Sequence, residues 1–307
     1  MASLQDVLTR MQEEGAAIGH FNVANLELLK AVIRAAHEVG VPVLVGASEG
    51  EREFFGARPL AALVKSLREE SDFPVFLNAD HTHSLAKAME AGHAGFDSVG
   101  IDFSALPFEQ NVARTKEAVE ALKGINPAIF VEGEIGDIGT GSEIHETADE
   151  SGTLTTPEEA RQFVHATGID VLAPAVGNRH GMATSMVEGK RKKRLNIERI
   201  AQIKKAAAVF LTLHGGSGTD DEDLRKAIAA GINIIHINTE LRVAWRRSLE
   251  DSLAKRPNEV VPYRILAPVV DSVRGVVNAR LRLFNPRGAS EKTPSSMTQK
   301  DVVRRAG

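Results

Sequence analysis

The chain has 307 residues, 43% hydrophobic and 25% charged, a balance that can bury a sizeable core in one large domain or two smaller ones. A net charge of −4 gives no overall field to recruit nucleic acid or an anionic membrane, and the absence of cysteine excludes disulfides, thiolate metal sites and thiol nucleophiles. The N-terminus shows no apolar targeting core and no run is long enough to span a bilayer, so a cytoplasmic enzyme or binding protein is the expectation.

Residues 4–14 read as an amphipathic helix with Leu4, Val7, Leu8 and Met11 on one face. A short strand over 17–21 ends in His20-Phe21-Asn22, and Asn25 caps a helix over 26–39 with a stripe of Leu29, Val32, Ile33 and Ala36. After the turn Gly40-Val41-Pro42, a buried strand over 43–45 ends in Gly46-Ala47-Ser48-Glu49-Gly50. The alternation then repeats. Helices are expected over 59–68, 84–91, 108–122, 157–166, 197–205 and 221–230, and strands over 75–77, 98–102, 128–132, 171–176, 209–213 and 232–237. Eight strand candidates separated by helices predict an α/β fold, a (β/α)8 TIM barrel, in preference to an open doubly wound sheet; no Gly-x-Gly-x-x-Gly follows the first strand. With no linker-like stretch in the first half, residues 1–284 are expected to form a single domain.

Three features exceed the repeat. The polar, glycine-rich connection over 137–156 has the length of an active-site lid. Two extra helices, 242–254 and 265–283, are placed to cover the barrel or to meet another subunit. The segment 285–307, rich in Ser, Thr, Lys and Pro, reads as a polar C-terminal tail. The basic run Lys190-Arg191-Lys192-Lys193-Arg194 reads as a solvated loop before a helix.

In α/β folds the chemistry lies beyond the carboxyl ends of the strands. The stretch Phe76-Leu77-Asn78-Ala79-Asp80-His81-Thr82-His83 breaks from apolar to polar where its strand should end, and two later strands run on to His180-Gly181 and His214-Gly215-Gly216-Ser217-Gly218. His81, His180 and His214 are therefore the metal candidates, since three imidazoles with an open position suit a catalytic divalent ion. Spacing alone cannot show that they converge. His83 is an alternative or supporting ligand, and His20, His93, His145, His165 and His236 complete the pool, with His37 a poorer choice inside a helix. Asp80 is the preferred general acid/base. Glu132 and Glu134 are expected to point to opposite sides of their strand, with Glu132 facing the site. The glycines and hydroxyl of 214–218, with Asn238-Thr239-Glu240 after the last strand, suit an anion such as phosphate.

These residues resemble the class II, metal-dependent ketose-bisphosphate aldolases. The likeness is carried by Phe21-Asn22-Val23 with Asn25-Leu26-Glu27, Ser48-Glu49-Gly50, Asp80-His81, and Ser98-Val99-Gly100-Ile101-Asp102-Phe103-Ser104. It continues through Leu106-Pro107-Phe108-Glu109-Gln110-Asn111, Val131-Glu132-Gly133-Glu134-Ile135-Gly136, Thr167-Gly168-Ile169-Asp170, His180-Gly181, His214-Gly215-Gly216-Ser217-Gly218 and Asn238-Thr239-Glu240-Leu241. It implies His81, His180 and His214 as ligands of Zn2+ or another divalent metal, with Glu132 an alternative ligand. It also implies Asp80 as the acid/base on the aldehyde-derived oxygen and Glu143, on the mobile loop, as the base on the donor carbon. Gly181, Gly215, Ser217 and Thr239 match a phosphate surface that in the family often includes a bound Na+ or K+. Asn238 is a further expected phosphate contact, and Asn22 and Ser48 are expected against the substrate.

The implied reaction makes or cleaves a C–C bond in a phosphorylated ketose, through a metal-stabilised enediolate of a dihydroxyacetone-phosphate-like donor. The resemblance further implies a homodimer or homotetramer. The last strand departs from the family pattern: Ile234 and His236 stand where a lysine and a donor-contacting asparagine are usual, and Asn178-Arg179 is bulkier than the usual pair before His180. His236 is therefore counted with the catalytic set. An aldolase with an atypical donor, an isomerase or epimerase working through the same kind of enediolate, and a non-catalytic metal- and phosphate-binding barrel remain as alternatives.

Overall fold

The computed structural model describes residues 2–71, 73–139, 141–146 and 152–286. Ten strands are described there: β1 (Ile18–Asn22), β2 (Val43–Ala47), β3 (Val75–Thr82), β4 (Ser98–Ile101), β5 (Phe130–Ile135), β6 (Ile144–His145), β7 (Val171–Pro174), β8 (Met182–Ala183), β9 (Phe210–Leu213) and β10 (Ile232–Ile237). Eight of them close a parallel barrel in the order β1-β2-β3-β4-β5-β7-β9-β10, with β10 pairing back onto β1; β6 and β8 form a separate two-stranded pair. This is the (β/α)8 TIM barrel with additional C-terminal helices.

Strand alternation sorts the barrel into a dry end and a polar end. Ile18, Leu44, Phe76, Phe130, Val171 and Ile234 pack together at the amino ends of the strands. Helix Leu4–Glu13 stoppers that end with Leu4, Val7, Leu8 and Met11, held by a Ser3–Asp6 capping box. Two residues further along the strands the inward positions turn polar, with His20, Asn78, Glu132 and His236, and then Asn22, Asp80 and Glu134. Outward-facing Val43, Val45, Val75, Leu77 and Val131 join the larger apolar cluster shared with the surrounding helices.

Helix Pro262–Phe284 packs on helices Leu26–Val39 and Thr239–Lys255, burying Val269, Val273, Val277 and Leu281. It therefore covers the barrel, one of the two roles the sequence left open. Its end is stitched to the first strand: Ala17 N donates to Phe284 O at 3.1 Å, and the buried Asn285 side chain donates to Leu281 O at 2.9 Å. Asn285 thus belongs to the packed structure although the polar tail was expected to begin there; residues 287–307 lie outside the described set. No helix of the described residues is long and apolar enough to cross a membrane.

Several boundaries differ from expectation. β3 runs to Thr82, so Asp80 and His81 lie within it, and β5 runs to Ile135, so Glu134 is a strand residue. A helix, Glu49–Phe55, stands where only a strand end was read.

Candidate active site

Adjacent residues on a regular strand face opposite ways, yet Asp80 and His81 both face the barrel mouth. β3 carries one extra residue against β4 between Ala79 and Thr82, and His81 has φ 42°. That left-handed conformation, costly for a side chain with a Cβ, turns the His81 ring back toward Asp80, with Nε2 3.8 Å from Asp80 Oδ1. Arg52, buried beneath, donates to the carbonyls of Ala47 at 2.5 Å and Asp80 at 3.1 Å, and to Thr82 Oγ1 at 3.1 Å, fixing the bulge from behind.

His180, in the loop after β7, and His214, just beyond β9, complete a cluster with His81 whose ligand atoms all lie within 4.8 Å of one another. His81 Nε2 is 3.0 Å from His214 Nδ1. The outer nitrogens of these two rings are held by carboxylates. Glu132 Oε1 is 2.6 Å from His214 Nε2, while Asp102 Oδ2 and Glu134 Oε2 are 3.2 Å and 3.5 Å from His81 Nδ1. Carboxylates behind the rings orient ligating histidines and raise their basicity. The Nε2 atom of His180 is buried without a hydrogen-bond partner. An orphaned imidazole nitrogen beside two carboxylate-backed rings fits a divalent cation, which would be held by His81, His180 and His214.

Glu132, expected as an alternative ligand, stands behind His214. Glu134 shares its side of β5, because residues two apart on a strand point the same way; the expectation of opposite sides was wrong. His83 is exposed, with Nδ1 3.2 Å from the Asp102 carbonyl.

Two further rings continue the row from His214 across the barrel. His20 lies 3.5 Å from His236 at an interplanar angle of 9°, and His236 lies 4.0 Å from His214. Gly46 makes room for the first ring, since a Cβ there would fall 2.0 Å from it. His20 Nε2 pairs with Asn78 Oδ1 at 3.0 Å. His236 Nδ1 sits 3.3 Å from Asp80 Oδ1, and the other carboxylate oxygen accepts from Asn22 Nδ2 at 2.8 Å.

Burial sets the electrostatics. It opposes the charge of Asp80, but His81 and His236 outweigh it and hold this carboxyl well below its ordinary value. Burial also opposes charge on His81, yet Asp80, Asp102 and Glu134 raise it to about 10. Burial, with His81 alongside, keeps His214 down at about 3 and His180 well below its ordinary value, so both are neutral and ready to ligate. Burial raises Glu132, and raises Glu134 further with Asp102 beside it.

Gly181, Gly215, Ser217, Asn238 and Thr239 line one small cavity together with Asn22, Asp80, Ser142, His180 and His236, so the expected phosphate residues and the expected acid/base share a chamber. Ser217 Oγ accepts from the backbone N–H groups of Asn238 and Glu240 at 3.2 Å and 3.4 Å. Ser48 does not line this cavity. Its backbone N–H and hydroxyl donate to Glu51 Oε2 at the start of helix Glu49–Phe55, and Glu51 in turn accepts from Asn22.

The described part of the 137–156 connection docks on the mouth. β6 pairs with β8, Met182 N donates to Glu143 O at 2.9 Å, and Arg242 donates to Ser142 O at 3.1 Å. The Glu143 side chain is exposed and outside the imidazole cluster. Residues 140 and 147–151 of this stretch lie outside the described set.

Sequence reasoning missed Asp102, Arg52 and Lys193. Asp102 puts a carboxylate directly after β4, the same signal that marked Asp80. Lys193, expected in solvent, is buried with its Nζ among backbone carbonyls.

Barrel, imidazole triad and buried carboxylates together define a TIM-barrel protein with a candidate divalent-cation site at the carboxyl ends of its strands. The family model for class-II fructose-bisphosphate aldolase matches residues 2–289, and the chain belongs to that family as an aldolase-like lyase. It is 36% identical over 287 residues to a probable fructose-bisphosphate aldolase of Bacillus subtilis (strain 168), covering 92% of this chain and 97% of that one. It is also 36% identical over 305 residues to the fructose-bisphosphate aldolase of Thermus caldophilus, covering 92% and 97%. Among solved structures, the YdjI aldolase of Escherichia coli K12 superposes with TM-score 0.78 at 30% identity, covering 94% of this chain and 99% of the other. A putative fructose-1,6-bisphosphate aldolase of Coccidioides immitis gives 0.79 at 27%, covering 94% and 97%.

Proposed function

We propose that the protein is a divalent-metal-dependent aldolase, with Zn2+ the preferred ion, that makes or cleaves a carbon–carbon bond in a phosphorylated ketose. The carrying observation is the meeting of His81, His180 and His214 beside Asp80, with His180 and Asp80 also lining the chamber walled by Gly181, Gly215 and Ser217. A divalent ion held by the three rings would supply a Lewis acid for a substrate carbonyl, with no lysine Schiff base needed.

The rest falls to the chain. Asp80, kept ionised by its imidazole neighbours, accepts the proton of the alcohol oxygen in cleavage and returns it in condensation. Asn22 fixes the carboxylate through its second oxygen. Glu132, Glu134 and Asp102 hold the ligating rings in one orientation. The glycine loops, with Ser217, Asn238 and Thr239, face the phosphate. Glu143 acts on the donor carbon once its exposed side chain turns inward.

Aldehyde release from a panel of ketose phosphates, with and without EDTA, tests the reading. Activity should vanish on chelation and return with Zn2+ or another divalent ion. Turnover that survives complete metal removal sinks it, and rearranged products of unchanged carbon count would assign an isomerase instead.

A further inference from the structure

Lys193 belongs to a run of five basic residues but does not share their exposure. Its Nζ donates to four backbone carbonyls: Arg179 at 2.6 Å, Gly181 at 2.5 Å, Gly215 at 3.0 Å and Ser217 at 2.7 Å. Four carbonyl oxygens converging on one buried point repel one another unless a cation sits between them. Every partner is an acceptor, so an ammonium with three N–H donors suits the set better than a neutral amine with two donors and a lone pair, although burial lowers the Lys193 pKa to about 8.

The position is built from both sides. Lys193 N donates to Gly218 O at 2.9 Å, and Asp220 N donates to Lys193 O at 3.1 Å. The next two residues are pinned by Asp223, which accepts from Arg194 at 2.8 Å and 2.9 Å and from Leu195 N at 2.9 Å. Gly215, at φ 62°, lets its loop approach: a Cβ there would fall 2.2 Å from the Arg179 carbonyl oxygen that Lys193 holds. The four carbonyls come from the two loops that carry His180 and His214, and Gly181, Gly215 and Ser217 also line the chamber assigned to phosphate.

The family resemblance places a free Na+ or K+ in this phosphate surface. The carbonyl cage does not fit that ion here, because the chain's own ammonium fills it. We propose that Lys193 is a tethered cation that replaces a free monovalent ion, locking the two loops together and setting a fixed positive charge beneath the phosphate. Lys193 is thus a positioning residue. Only its effect on phosphate rests on the chamber assignment above; its occupancy of the cage does not.

The test uses the full chain loaded with its divalent ion, in chloride salts of tetramethylammonium, Na+, K+ or NH4+ at equal ionic strength. Calorimetry reads the Kd of inorganic phosphate, thermal unfolding reads Tm, and crystals soaked in Rb+ are examined for anomalous scattering. The wild type should keep one Tm and one phosphate Kd, within about twofold, in every salt, with no Rb+ peak among the four carbonyls. Lys193→Met should bind phosphate at least about tenfold more weakly in tetramethylammonium, recover in K+ or NH4+, and show the Rb+ peak.

A Rb+ peak in the wild type overturns the proposal. So does a tenfold gain in wild-type phosphate affinity on adding K+ (about 1.4 kcal/mol), or a Lys193→Met that matches the wild type in tetramethylammonium. If Lys193→Met does not fold in any salt, the wild-type salt comparison and Rb+ soak decide. A wild type that binds no phosphate overturns the chamber assignment, while Tm and Rb+ still judge the cage.

Discussion

Replacing His236 by asparagine separates packing from donor recognition. The ring sits between His20, 3.5 Å away and nearly parallel, and His214, 4.0 Å away, with Nδ1 3.3 Å from Asp80 Oδ1. Truncation to asparagine removes roughly 40 Å³, which at about 24 cal/mol per Å³ of residual cavity costs about 1 kcal/mol. Loss of the stack on His20 adds about another 1 kcal/mol. A total near 2 kcal/mol lowers Tm by roughly 4 °C in a domain of this size. The change also alters the wall of the chamber beside Asp80, so kcat/KM ratios between ketose phosphates differing in their donor half should shift by about tenfold, the worth of one polar contact. Differential scanning calorimetry and a cleavage assay on that panel check both figures. A variant that loses the expected Tm but keeps its donor ratios shows that His236 only packs. One that changes neither refutes the energetic reading of the ring stack as well.

Glu143→Gln should cut kcat by about 10²–10⁴-fold while leaving the Kd of inorganic phosphate unchanged; an unaltered kcat removes Glu143 from the reaction. Gly46→Ala should displace His20 and cost about 1–3 kcal/mol of stability by overpacking, seen as a lower denaturation midpoint. An unchanged midpoint means the ring relocates freely. Burial opposes ionisation of Asp223, but Leu195 N–H and Arg194 outweigh it and lower its pKa in the folded state. Its contribution is therefore complete above the ordinary carboxylate value and lost as pH falls through the depressed folded one. Asp223→Asn should flatten that acid limb in pH-dependent unfolding, and a limb identical to wild type dissociates Asp223 from it.

The eight barrel strands were legible because parallel strands buried on both faces read as short apolar runs, as in 43–45 and 232–237. The three histidines were legible only through the barrel hypothesis, which turned separate strand ends into one ring of positions. Glu134 was within reach and misread, since residues two apart on a strand share a side. Helix Glu49–Phe55 was also within reach, because Ser48 followed three residues later by Glu51 is a capping-box pattern. The His81 bulge was not legible: one extra residue against a neighbouring strand depends on tertiary pairing. Nor was Lys193, because nothing in Lys190-Arg191-Lys192-Lys193-Arg194 distinguishes the side chain that turns inward from those that stay out.

The distribution of charge gives the mouth two places suited to a cation, of two different kinds. Asp80, Asp102, Glu132 and Glu134 crowd around imidazoles of which His180 and His214 are held neutral by burial. Ionising all of these buried carboxyls around one charged ring is unfavourable alone, which is why burial raises Glu132 and Glu134. A divalent ion held by the three histidines would relieve that excess through the rings themselves. The corner proposed for phosphate has the opposite need. The carbonyls of its loops at Arg179, Gly181, Gly215 and Ser217 meet beneath the chamber, where they require positive charge of their own. Since Glu240, which accepts from Gly218 N at 2.8 Å, is committed to Arg280 by two bonds of 2.8 Å and 2.7 Å, that arginine is already engaged. The Lys193 ammonium is the group that reaches those carbonyls, and it does so without lining the chamber proposed for the substrate.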